Sequence, residues 1–194
     1  QTDGGANTGN AAQLTALKDV VIPIVGINAI ATINNANSTS YTGTGTCTIA
    51  DGNVSYTISS PSGGTDVTGS VSCSGGGTWT TGSINVTSAN DDSAVEFDAE
   101  QTDTAGNTGD AAQLTAIKDT QDPIVVITAP AIINNANQAA YTLTGACSSG
   151  DGNVSYTISS PSGGTDATGS VSCTGTTWTT GVINLSALND NAAV

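Results

Sequence analysis

Cys47, Cys73, Cys147 and Cys173 are the most reactive side chains in this sequence, and the partners that would make them catalytic or zinc-binding are missing. A nucleophilic thiolate needs an adjacent base, and the chain has no histidine. Structural zinc sites use short Cys-x-x-Cys or Cys/His spacings, and none occurs. The four cysteines instead fall into two equivalent pairs. Only the pairing Cys47 with Cys73 and Cys147 with Cys173 repeats with the rest of the sequence, so two disulfides and an oxidising compartment are expected. In the chain-entropy account each would stabilise its unit by about 3 kcal/mol.

Carboxylates are the other reactive groups. Asp and Glu number 16 against 2 Lys and Arg, giving a net charge of -14 although charged residues make up only 9% of the 194. Two lysines cannot form a surface that tracks phosphates, so nucleic acid is not expected as a partner. Carboxylates without ammonium neighbours stay solvated, repel one another or share a divalent cation. Catalysis would require a base, a nucleophile or paired acids in a cleft. Asp91 and Asp92 are such a pair, but they sit in a short turn that recurs as Asp190 and Asn191. The chain therefore reads as no enzyme.

The elements that must position these groups are set by a repeat. Residues 51–66 (DGNVSYTISSPSGGTD) recur unchanged at 151–166, and Trp79 matches Trp178, so the offset falls from 151 - 51 = 100 to 178 - 79 = 99 after one deletion. Residues 1–18 match 101–118. Self-similarity of this kind makes each period one structural unit. The expected organisation is 1–18 as the last strand of a preceding module, 19–118 as one complete module, and 119–194 as a module lacking its last two strands, with Val194 matching Val95.

Alternation of period two defines the strands. Tyr41, Cys47 and Ile49 share a face opposite Thr42, Thr44, Thr46 and Thr48; Val54, Tyr56 and Ile58 oppose Ser55, Thr57 and Ser59; Val95, Phe97 and Ala99 oppose Glu96, Asp98 and Glu100. The phase slips around Gly82, as at a bulge. Strands are predicted near 22–29, 41–49, 53–60, 68–74, 78–88, 93–102 and 110–118. About seven short strands in roughly 100 residues predict an all-β fold of tandem immunoglobulin-like sandwiches with Greek-key topology.

Residues 102–107 (TDTAGN), 119–123 (DTQDP) and 90–92 (NDD) resemble the bacterial immunoglobulin-like (Big-type) tandem repeats of large secreted adhesins and biofilm surface proteins. The first copy departs from that pattern, reading TDGGAN at 2–7 and DVVIP at 19–23. The resemblance implies tandem sandwiches, secretion to the cell surface, neighbouring modules as partners, and calcium near module junctions. Sandwich topology points the same way: Asp19, Asp51, Asn53, Asp103 and Asn107 gather at one end, while Asp91 and Asp92 lie at the other, facing Asp119, Asp122 and Asp151 of the next copy. Calcium takes roughly six to eight oxygen ligands. The alternative for the same residues is that Asp and Asn favour turns through side-chain to backbone hydrogen bonds.

Trp79 and Trp178 read as core rather than as sugar platforms, and the threonine row at 42–48 is broken in the second copy. Five Asn-x-Ser/Thr sequons carry no inference in a chain so rich in these residues. No run approaches the ~20 apolar residues of a spanning helix. The expected function is an extracellular, non-enzymatic stalk or spacer of a repetitive adhesin, with any host-surface or matrix ligand elsewhere in the full protein. The alternative is a fibre subunit polymerised by donation of residues 1–18 into residues 119–194 of a neighbour.

Overall fold

A computed structural model describes residues 1–16 and 18–192, so the match of Val194 to Val95 lies outside the described residues. The described chain is all-β, with several sheets, and is consistent with a β-sandwich; no helix is long and apolar enough to cross a membrane. It divides into two units, Gln1–Gln121 and Asp122–Val194.

Unit 1 contains β1 (Gly26–Ile27), β2 (Ile33–Asn34), β3 (Thr44–Thr46), β4 (Asn53–Ser59), β5 (Val67–Ser72), β6 (Thr78–Thr80), β7 (Asp92–Thr102), β8 (Thr108–Asp110) and β9 (Leu114–Asp119). One sheet has the order β1-β3-β6; the other has β2-β9-β7-β4-β5, with β8 pairing the end of β7. β7 is the central strand. Its alternation sends Val95, Phe97, Ala99 and Gln101 inward, where all four are buried, and that inward row meets Val54 and Ile58 of β4 in register. One cluster joins Ile33, Tyr41, Ile58, Val86, Val95, Phe97 and Ala116; a second joins Val25, Cys47, Val54, Trp79 and Ala99.

Unit 2 contains β10 (Val125–Ile127), β11 (Thr144–Cys147), β12 (Asn153–Ile158), β13 (Ala167–Ser172) and β14 (Thr177–Thr179), in sheets β10-β11-β14 and β12-β13. Its core is a single cluster around Tyr141, Cys147, Val154, Ile158, Trp178 and Leu185.

Several expected strands are shorter than the alternation suggests. The strand expected at 22–29 is reduced to Gly26–Ile27, because Pro23 has no N–H to offer a ladder and the flanking Ile22 and Ile24 are exposed. In 41–49 only Thr44–Thr46 is strand, with Tyr41 held by an isolated bridge to Ile84. Ile49 is not inward: it is 54% exposed, since the chain has already turned toward Gly52. The slip at Gly82 is a break, with φ of 67° ending β6 after Thr80. The expected strand 110–118 is two, β8 and β9. β2, parallel to β9 through Ile33 and Lys118, was not anticipated.

Candidate functional site

The first constellation is a staple. Cys47, which follows β3, bonds Cys73, which follows β5, and Cys147, the last residue of β11, bonds Cys173, which follows β13, each across 26 residues. No cysteine is free among the described residues. Beside each bridge a tryptophan fills the core: Trp79 and Trp178 are buried, and their indole N–H groups donate to the carbonyls of Gly26 and Val126 at 3.0 and 3.1 Å. This geometry needs a glycine opposite. A Cβ on Gly45 or Gly145 would overlap both the indole and that carbonyl, so glycine there serves close approach rather than flexibility.

At the expected leading end, Asp103 closes a turn. Its Oδ1 accepts from the N–H groups of Ala105 (2.8 Å) and Asn107 (2.9 Å), and its Oδ2 from the Asn107 amide (2.8 Å), which also reaches the Asp19 carbonyl at 3.3 Å. The Asn107 amide, helped by the backbone donors, outweighs burial and holds the Asp103 carboxyl below the ordinary aspartate value. Gly52 lies against the Thr102 carbonyl, which brings the loop of Asp51 and Asn53 to the same end. Asp19 Oδ1 accepts from Val21 N–H at 3.0 Å and Asp119 Oδ1 from Gln121 N–H at 3.0 Å. Asp3 and Asn7 form the same turn near the start of the chain.

Asp91 and Asp92 are adjacent but serve different partners. Asp91 Oδ1 takes the ammonium of Lys118 at 2.7 Å, and its carboxylate also accepts from the N–H and hydroxyl of Thr120. Burial pushes the Asp91 carboxyl up, but Lys118 and Thr120 outweigh it and the net direction is down. Asp92 accepts from the Ser62 hydroxyl and from Ala94 N–H, and these bonds, the Ser62 one foremost, lower its pKa. Asp122 and Asp151 belong to unit 2. Among the described residues, no three His, Cys, Asp or Glu side chains converge as metal ligands. As arranged, Asp103, Asp19, Asp119 and Asp92 hold turns, and Asp91 holds an ion pair.

Two inward polar residues escaped the sequence reading. Lys118 has a side chain 3% exposed, at the end of the β9 row Leu114, Ala116, Lys118. Gln101 is fully buried and clamps the loop after β3: its amide oxygen accepts from Thr48 N–H, and its NH₂ donates to the carbonyls of Thr48 and Gly52. The signal for both was present, because each continues an apolar alternation in phase. On the opposite face of the same sheet, Asp98, Glu100 and Asp110 line an open cleft of about 310 Å³ with Ser55 and Thr57. Grooves of about 730 and 700 Å³ recur beside Trp79 and Trp178, lined by Thr, Ser and Gly and by no titratable group.

No protein-family model matches the sequence, and no curated protein resembles it in a sequence comparison. A solved structure described as a tetra-tandem repeat in the extending region of a large adhesion protein aligns with 86% of this chain at 18% identity and a TM-score of 0.41. The chain spans 42% of the length of that structure.

Proposed function

We propose that this chain is an extracellular structural spacer, a run of immunoglobulin-like modules of about 100 residues that sets the reach of an adhesin and catalyses nothing. The observation that carries this reading is the recurrence of one disulfide, one tryptophan and one packing glycine at equivalent places in both units. Repetition of a core, rather than of a cleft with a base and a nucleophile, is what a mechanical element needs. The disulfides fit a secreted protein. Pulling the chain from its two ends tests the reading: each unit should yield in its own event, and reductant should lengthen each event by roughly 90 Å, the contour of 26 residues at about 3.5 Å each. A single joint event, or steps unchanged by reductant, would refute it.

Calcium remains a proposal for the leading end, where the loops of Asp19, Asp51, Asn53, Asp103 and Asn107 adjoin; there the Asp19 and Asp51 carboxylates would have to turn toward Asp103. Melts several degrees higher with calcium than with chelator would support it, and superimposable melts would remove it. The fibre alternative is weaker. Residues 1–18 correspond to 101–118, so they lack the stretch of β7 around Phe97 that separates β4 from β9.

A further inference from the structure

Asn-x-Ser/Thr triplets start at Asn37, Asn53, Asn85, Asn153 and Asn184, and the structure separates them. Asn37 is a turn residue: its Oδ1 accepts from Asn34 N–H at 2.8 Å, and its amide nitrogen donates to the Thr32 carbonyl at 2.9 Å. Asn137 makes the same two bonds although the residues after it are Gln138 and Ala139, so the asparagine at that place is kept for the turn alone. Asn53 and Asn153 open β4 and β12, where the extended backbone holds the serine two residues on about 6.6 Å away. Asn85 and Asn184 differ. Each is exposed in the loop after β6 or β14, and its Oδ1 accepts from both the N–H and the hydroxyl of the residue two on, Thr87 at 2.9 and 2.7 Å and Ser186 at 3.0 and 2.6 Å. Among the described residues neither amide nitrogen has an acceptor. Between the copies Ser83, Ser88 and Ala89 become Val182, Ala187 and Leu188, but the asparagine and a hydroxyl two residues on stay.

We propose that Asn85 and Asn184 are N-glycosylation acceptors, modified at Nδ2 by a glycosyl pyrophosphate donor. The inference goes beyond the spacer reading and shares with it only the extracellular route, which the disulfides also require. An acceptor triplet has meaning on a surface loop of a secreted chain, and of the five only these two combine exposure, a backbone turned so that hydroxyl meets amide, and an uncommitted amide nitrogen. The residues between, Val86 and Leu185, are 0% and 2% exposed and pin each loop to its core, so the acceptor is held outward and a glycan there displaces no core contact. A hydrogen bond donated to Oδ1 stabilises the negative charge that gathers on it as Nδ2 gives up a proton. In the transfer Nδ2 attacks C1 of the sugar, the C1–O bond to the pyrophosphate breaks with its electron pair on the pyrophosphate, and one Nδ2 proton leaves. Nothing is oxidised or reduced. The same hydrogen bonds serve a plain turn equally well, so the test reads the covalent product.

Peptide mapping by mass spectrometry tests this on the native protein, purified from its own cells and left unreduced. The peptides of Asn85 and Asn184 should each carry a sugar mass, and those of Asn37, Asn53 and Asn153 none. A single added sugar and a preassembled oligosaccharide both support the proposal, the first marking a nucleotide-linked donor and the second a lipid-linked one. Thr87→Ala in the same cells should remove the sugar from Asn85 and leave it on Asn184, while Thr87→Ser, which keeps the hydroxyl, should retain both; an intact Cys47–Cys73 bridge in the same map shows that each variant has folded. Bare asparagine at 85 or 184, sugar on Asn53 or Asn153 as full as on Asn85, or a Thr87→Ala chain still modified at Asn85 would each overturn the proposal. The map also keeps the two readings apart. Bare asparagines with both bridges intact would remove the glycans and leave the spacer, whereas free cysteines would count against the spacer's compartment.

Discussion

Units 1 and 2 share 16 identical residues at 51–66 and 151–166, yet their cores differ in kind. In unit 1 two clusters lie along the inward face of β7; in unit 2 one cluster joins Cys147, Val154 and Trp178 with Tyr141, Ile158 and Leu185, counterparts of residues from both. The module is thus built in two halves. The stapled half rests on the pairing of β3 with β6 and of β4 with β5, joined by the disulfide, and its Cys47, Val54 and Trp79 stay buried in both copies. The other half is supplied by β7 and β9. Tyr41, Ile58 and Val86 remain buried in unit 2 as Tyr141, Ile158 and Leu185, but Val25 packs in one cluster with Ala99 of β7. Val25 against Val125, and Pro23 buried against Pro123 exposed, report that difference.

Mutations that strike one half should separate the units. Phe97→Ala should have the largest effect, costing unit 1 about 4 kcal/mol while the unit 2 transition of a two-step urea curve stays in place. Replacing Cys147 and Cys173 by alanine should cost unit 2 about 3 kcal/mol, enough to erase its transition, because its described residues form one cluster around that bridge. The same change at Cys47 and Cys73 should lower the unit 1 transition without removing it.

Asp91→Ala should cost unit 1 about 3 kcal/mol, since it leaves the Lys118 ammonium buried without a partner, while Asp190→Ala should leave unit 2 unmoved. The pair also sets a pH dependence. The folded pKa of Asp91 lies below its unfolded value, so the unfolded state takes up the proton first. The associated stability is present above about pH 4, the ordinary aspartate range, and declines as pH falls through the folded pKa. An acid titration followed at unit 1 should therefore flatten in Asp91→Asn. The smallest effect is expected for Ile49→Thr, within about 0.5 kcal/mol because the side chain lies in water.

Much of this was legible in the residues. Period-two alternation gave β4, β5 and β7 within a residue or two, and the repeat gave the cysteine pairing without any knowledge of the fold. β2 was hidden because two residues carry no periodicity. Lys118 and Gln101 were hidden by chemistry rather than by pattern: a lysine or glutamine is ordinarily solvated, and only the phase of β9 and β7 shows that these two point inward. Ile49 failed for the opposite reason, since its apolar side chain continued an alternation that the backbone had already left. Asp103 and Asp91 were expected as cation ligands; in the structure Asp103 holds a turn and Asp91 takes Lys118, arrangements that sequence spacing alone does not distinguish from a shared cation.

Hydrogen exchange of the intact chain at neutral pH tests the two-half module most directly. β4 is bonded on one side to β5 and on the other to β7, whereas among the described strands β12 is bonded to β13 alone. The amides of Val54–Ile58 should all be protected, and alternate amides of the identical stretch Val154–Ile158 should exchange at least about a hundredfold faster than their counterparts. Equal protection along both strands would contradict the account, because it would mean that the stapled half closes its own sheet without β7.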